Sequence, residues 1–408
     1  MQTNTHIILS GMIRILALGA LWVCFVSPIQ AVEPVKAGET DPVINEEMLL
    51  ISAFDHIREN RMDNALSLLR QLTVKKPKFK LAHLIYADLL LAKTQALRGF
   101  GHLTSSSEEI EGMREEARKR WTYHVVKPST DLIPDQISSL DESVRHAVLV
   151  DLTTSRFYVF ENQAGVPILV KDYYTSMGKQ GARKYKRGDQ RTPVGVYHIT
   201  DYLPEKVLAD RYGVGAFPIN YPNYWDRRLG KTGGGIWLHG TSFATYSRPP
   251  KASDGCVTLS NENFKEVQPL LDIKKTPVVI TSHPVNWISK EAWKARQVGM
   301  TALVEQWRLD WESMDTDRYL SHYSKDFNGL SKDYNGWVAH KRRVDARKKY
   351  IRVGLSDLYL TTYPGDEALM LLVRFKQDYK SDNFSSRSQK QQYWRLEEDD
   401  VWRIISER

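Results

Sequence analysis

Cysteine is close to absent from this sequence: 408 residues hold two, Cys24 and Cys256. Cys24 falls in an amino-terminal stretch with the marks of an export signal. Arg14 and the lack of any acidic residue before Glu33 give it a positive start, Ile15 to Ser27 is apolar, and Pro28-Ile29-Gln30-Ala31 ends it on a small residue. Long hydrophobic runs are scarce too, since that apolar stretch of about a dozen residues falls short of the ~20 a membrane helix needs. The expected product is a signal peptide over 1–31 and an exported chain, periplasmic or held in the cell envelope, with no membrane span once mature.

Outside the cytoplasm structural cysteines come in pairs, so a single one left over excludes a disulfide framework. Metal chemistry has as little to work with. The eleven histidines contain no H-E-x-x-H and one cysteine cannot build a zinc cluster, so neither metal nor cofactor is expected. The net charge of +8 is, for an exported protein, a match for anionic wall polymers and lipid head groups rather than nucleic acid. Its densest runs are Lys184, Lys186, Arg187 and Arg191, then Lys341-Arg342-Arg343 and Arg347-Lys348-Lys349, expected mostly on solvated faces.

With 42% hydrophobic and 26% charged residues there is material for two or three packed domains, and the texture divides the chain as multidomain α+β. After a linker at 32–44, residues 45–125 are helical in period: Met48, Leu49, Ile51, Phe54 and Ile57, then Ala65, Leu68, Leu69 and Leu72, then beyond Pro77 Leu81, Leu84, Ile85 and Leu89. The pair of helices around Pro77 looks like one tetratricopeptide-type hairpin, too few copies for a repeat array. A linker at 126–143 leads to a mostly β domain at 144–283. Its expected strands are Ala147 to Asp151, Phe157 to Phe160, Ile168 to Tyr174, Gly195 to Thr200, Ile236 to His239 and Pro277 to Thr281. A short helix at Asn261 to Leu271, capped by Ser260 or Asn261, is the exception. A linker at 284–298 precedes an α+β segment at 299–408. There Leu303, Trp307 and Trp311 share a helical face, and strands are expected at Asp357 to Thr361, Ala368 to Phe375, Gln391 to Leu396 and Trp402 to Ile405.

Cys256 sits in Ser253-Asp254-Gly255-Cys256-Val257, where a core strand would carry apolar residues, so a small, solvent-near nucleophile is the better reading than a buried packing thiol. His239, at the end of an apolar strand 17 positions earlier, is the candidate base. An imidazole beside a thiol raises its thiolate fraction and returns the proton to a leaving amine. The Gly240 carbonyl is placed to accept the other ring N–H and fix the tautomer. Gly255, with Ser253 and Asp254 shaping the turn, lets backbone approach a substrate carbonyl. These parts describe acyl transfer through a thioester.

The cluster Gly233-Gly234-Gly235 into Ile236-Trp237-Leu238-His239-Gly240-Thr241, then Ser253-x-Gly255-Cys256-Val257, resembles the signature of the L,D-transpeptidase catalytic domain, or YkuD fold. Thr192-Pro193-Val194-Gly195 resembles its T-P-x-G element. The resemblance implies a β-sandwich-like domain acting on peptidoglycan stem peptides, with Cys256, His239 and Gly240 catalytic and Thr258, Thr192, Pro193 and Trp237 as candidate substrate contacts. Many members carry His where this chain has Asp254 and Arg where it has Thr258, which removes positive potential beside the thiol. The tail, with its Tyr319, Tyr323, Phe327 spacing, looks like an NTF2-like cone, a fold that often pairs through its sheet into a homodimer. His322 and Asp326 are its polar pocket candidates.

The combined architecture resembles the cell-shape L,D-carboxypeptidases of curved and helical bacteria, which favours trimming of tetrapeptide to tripeptide over cross-linking. Three alternatives stay open: an L,D-transpeptidase forming cross-links or attaching proteins to the wall, amidase cleavage of such a link, and a catalytically inactive wall-binding scaffold.

Overall fold

The computed structural model describes residues 45–97, 99–101, 107–365 and 368–408. The expected signal peptide and the 32–44 linker lie outside these. Among the described residues no helix is long and apolar enough to cross a membrane.

Four helices open the described chain, Glu46–Arg58, Met62–Lys75, Lys80–Ala92 and Glu108–Val126. The expected hairpin is the second and third. Asn45 and Ser107 accept hydrogen bonds from Met48 and Ile110 N–H, capping the first and fourth at their otherwise orphaned donors. Leu50, Ala53, Ala65, Leu69, Leu72, Leu81 and Ala82 close one core, and Tyr246, from the β domain, is packed into it. The fourth helix carries charge on its inner face. Its Arg120 is buried between Glu116 (2.9 Å) and Glu47 (3.1 Å), and Arg156 of the β domain reaches the same Glu47 at 2.7 Å. Burial raises the cost of the Glu47 charge, but Arg156 and Arg120 outweigh it and hold the carboxyl down at about 2.

The central domain is two sheets over a shared apolar layer. One has strand order Val166–Tyr174, Arg156–Gln163, His146–Asp151, Pro277–Thr281, Gly195–His198. The other runs Val257–Thr258, Trp237–His239, Gly215–Pro218, Leu203–Pro204. Val148, Val150, Phe157, Val278 and Ile280 from the first meet Phe217, Leu238 and Val257 from the second. His146–Asp151 and Pro277–Thr281 are buried along their whole length, since Val148, Val150, Val278 and Ile280 face this layer while Ala147, Leu149 and Val279 face a second core on the other side of the sheet.

In the tail, Ile351–Tyr363, Met370–Ser381, Ser385–Leu396 and Trp402–Glu407 form an antiparallel sheet wrapped around Lys290–Glu312, Thr316–Ser321 and Tyr334–Asp345. Trp307, Trp311, Tyr319, Tyr323 and Phe327 fill the cone. The expected strands were too short, because the outer halves of the real ones expose a polar residue at every second position, Lys376, Asp378 and Lys380 on one and Ser385, Arg387 and Gln389 on the next. Lys341, expected on a solvated face, is buried over Trp311 (3.9 Å) and Trp337 (4.8 Å). That burial pulls its ammonium down to about 8.

The two inner linkers are also corrected. In 126–143 and 284–298, Ile133–Pro134 pairs with Trp287–Ile288, while Ile137–Ser139 is an edge strand on the tail's sheet. Tail and centre share a core in which Trp225 stacks on Tyr393 at 4.8 Å and Leu372 meets Val279. Such an apolar seam makes the two a single mechanical unit rather than beads on a string.

Candidate active site

Cys256 follows a turn that closes on itself. Ser253 Oγ accepts from Gly255 N–H at 3.1 Å and donates to the Cys256 carbonyl at 2.6 Å. Gly255 holds φ +125, and a Cβ there would stand 2.7 Å from the Arg191 carbonyl oxygen. Only glycine fits both demands. Gly255→Ala is therefore expected to displace the turn and cut turnover on the order of 100-fold, with a lower melting temperature by calorimetry. An alanine variant of unchanged rate would show that the turn relaxes freely. Asp254 points outward, 3.3 Å from Lys179 and 3.2 Å from Gln190.

His239 lies on the neighbouring strand, paired in parallel with Thr258. Its Nδ1 is 2.6 Å from the Gly240 carbonyl oxygen. A carbonyl only accepts, so Nδ1 carries the proton and Nε2 the lone pair, the tautomer a base needs. Nε2 faces the Thr258 hydroxyl at 3.4 Å, and Tyr212 sets its ring edge-on against the imidazole at 5.1 Å. Any residue has the carbonyl, but position 240 calls for glycine because a side chain there would collide with Asn261 Oδ1. That oxygen accepts from Thr241 N–H (3.0 Å) and Val214 N–H (3.3 Å), pinning the His-Gly-Thr corner.

The resting protonation states differ from expectation. Cys256, expected near solvent, is 9% exposed and His239 2%. The thiol donates to the Gly235 carbonyl at 3.5 Å rather than to the imidazole. Burial pushes the thiol up to about 11, against which the Trp237 backbone N–H, Arg248 and Lys184 pull down. Burial, with Arg248, brings His239 down to about 3. The imidazole therefore does not enrich the thiolate at rest. Both groups are neutral at rest, so a nucleophilic role for this sulfur would require its proton to move during attack.

Positive potential beside the thiol, expected to be missing with Thr258 and Asp254 in place, is supplied from elsewhere in the chain. Lys184 is buried with its Nζ 2.6 Å from Asp189, and that aspartate also takes N–H bonds from Tyr185, Lys186 and Arg191. Arg248 comes from the loop after His239 and ties Nε to Thr241 Oγ1 at 2.8 Å. Sequence reasoning missed Arg248, Asn261 and Tyr212, which reach the site only through long-range folding.

Thr192 and Pro193 are buried in the loop framework, with Thr192 Oγ1 accepting from Gly178 N–H at 2.9 Å. Trp237 is half-buried against Tyr212. A cavity of about 620 Å³ opens over Gly233, Gly234 and Gly235, walled by Arg187 and Thr232, on the segment that bonds the thiol. In the tail, His322 Nε2 is 2.7 Å from Asp310 and Asp326 pairs with Arg395 at 2.7 Å, so the two expected pocket residues are engaged with separate partners. Among the described residues no group of acidic, His and Cys side chains is arranged to hold a metal.

Residues 145–280 match the L,D-transpeptidase catalytic domain (YkuD), and residues 299–408 match the Cds6 C-terminal NTF2-like domain. The structure of Bd1075 from Bdellovibrio bacteriovorus is 30% identical, with a TM-score of 0.59 over 68% of this chain and 98% of that one. The chain belongs to the YkuD L,D-transpeptidase family. The helical cell shape determining protein Pgp2 from Campylobacter jejuni is 25% identical, with a TM-score of 0.57 over 67% of this chain and 95% of Pgp2. A search of curated proteins returned no match. This YkuD-family chain is thus a peptidoglycan-acting enzyme with an NTF2-like tail, and its family's target puts it at the cell envelope.

Proposed function

We propose that this protein is an exported L,D-carboxypeptidase that trims peptidoglycan tetrapeptide stems to tripeptides through a thioester on Cys256. Cys256 Sγ attacks the carbonyl joining the L-centre of the diamino acid to the terminal D-alanine, while His239 Nε2 takes the thiol proton. The tetrahedral intermediate collapses as that proton passes to the departing amine, the C–N bond breaks and D-alanine leaves. Water then attacks the thioester with His239 as base, and the proton returns to the sulfur. The Gly240 carbonyl stabilises the imidazolium that forms twice in this cycle, and the Trp237 N–H directed at the sulfur favours the leaving thiolate.

The observation that carries the reading is the joining of this thiol–imidazole site to an NTF2-like tail through a continuous core, in an architecture spanning nearly the whole length of Pgp2, a helical cell shape determining protein. Trimming alters which stems remain for cross-linking and so supports a role in cell shape. Incubation with disaccharide-tetrapeptide and mass spectrometry tests it. Tripeptide and free D-alanine are expected. Cross-linked dimer as the main product would replace hydrolysis with transpeptidation, and neither product would favour a wall-binding scaffold.

A further inference from the structure

Arg248 is a half-buried cation with no anion of its own. Its Nε donates to Thr241 Oγ1 and its Nη2 to the Arg211 carbonyl, both at 2.8 Å, and among the described residues its Nη1 has no hydrogen-bond partner and no carboxylate pairs with it. The two carboxylates whose charge reaches it are otherwise engaged. Asp210 takes the Ser242 hydroxyl and the Phe243 N–H, and Asp254 faces Lys179 and Gln190. A guanidinium partly withdrawn from water without a counter-ion costs stability, and the cost is recovered when an anion docks.

Its position is bound to both halves of the catalytic pair. Thr241 is two residues after His239. The Arg248 carbonyl accepts from Ser176 Oγ at 3.1 Å, and Ser176 bridges Thr258, two residues after Cys256, with paired backbone bonds of 3.0 Å. Tyr174 OH holds the same carbonyl at 2.9 Å.

From the other side the helical domain clamps the loop. Tyr246 packs its ring at a tilt against Phe79 at 4.6 Å, Ser247 Oγ donates to Glu116 at 2.8 Å, and Pro249 sits so close to Gly112 that a Cβ there would be 2.8 Å from its ring. The helices thus act as a brace for an active-site loop, and the guanidinium is fixed before substrate arrives.

We propose that Arg248 is the specificity-determining residue that receives the free carboxylate of the terminal residue being released. The assignment rests on the proposed L,D-carboxypeptidase reading, in which the leaving amine carries that carboxylate. It makes the enzyme an exopeptidase, since an amide or a continuing chain at that place leaves the guanidinium desolvated and unpaired.

Two donors that differ only at the terminus test this: disaccharide-tetrapeptide with a free carboxylate and its C-terminal carboxamide. Wild type is expected to favour the free acid on the order of 10- to 100-fold in kcat/KM, as for a charge-assisted bond. Arg248→Gln is expected to lose that preference and Arg248→Lys to keep part of it. Equal turnover of both donors by wild type, or a preference that survives in Arg248→Gln, overturns the assignment and leaves the proposed function standing. No turnover of either donor overturns the proposed function and the assignment with it.

Alkylation supplies a readout free of turnover. Iodoacetate and iodoacetamide both lose iodide to the Cys256 sulfur, with the thiol proton going to solvent, and differ in carrying a carboxylate or an amide. The ratio of their rates is expected to fall several-fold in Arg248→Gln, and an unchanged ratio contradicts the assignment.

Discussion

Cys256→Ala is expected to bring D-alanine release to background while leaving a folded protein. No other cysteine lies among the described residues, so no neighbouring thiol can take over the thioester. The substitution removes one buried sulfur whose hydrogen bond is a long one to Gly235, and the gap costs roughly 1 kcal/mol. Melting should shift by only about 2–4 °C, measured by calorimetry beside the product assay. Substantial turnover in the alanine variant would remove Cys256 as nucleophile.

His239→Gln is expected to lower acylation by roughly 10²–10⁴-fold, the usual worth of a positioned general base. Glutamine keeps an amide N–H for the Gly240 carbonyl but has no basic lone pair at the Nε2 position. The pH profile makes the same claim from a second direction. Imidazole accepts a proton only when neutral, and with its value held near 3 that condition is met throughout the working range, failing as pH falls through about 3. The thiol stays protonated until pH rises toward about 11. Acylation should therefore show no limb from either group between about pH 5 and 9. A resting thiolate–imidazolium pair would instead put a limb of the wild-type profile near neutrality, and an unchanged rate in His239→Gln would remove the residue from the mechanism.

The candidate nucleophile and base were legible in the sequence because both lie in short segments where neighbours set the geometry. Ser253 and Gly255 shape the turn from within three residues of Cys256, and Gly240 orients His239 from the adjacent position. Ser260 caps the Asn261–Val267 helix as its local pattern foretold, and Pro277–Thr281 is the expected strand, since a β-branched run buried on both faces has few other fates.

What stayed hidden depends on residues distant in sequence. Arg248 has no local mark, and its position comes from folding back onto Thr241 and from the grip of Glu116 and Phe79 on its neighbours. The charged inner face of the Glu108–Val126 helix concealed its packing, because Glu116 and Arg120 are buried as a pair rather than as apolar residues. Burial also shifts the resting protonation of both groups, raising the thiol and lowering the imidazole. Sequence offers a candidate imidazole, but only the fold shows how little water reaches either group.

The most direct measurement is the intact mass of the protein after rapid acid quenching of its reaction with disaccharide-tetrapeptide, followed by peptide mapping. The account predicts a transient adduct equal to the donor less D-alanine, on Cys256 and lost in Cys256→Ala. Continued D-alanine release with no such adduct, or an adduct on another residue, would contradict it.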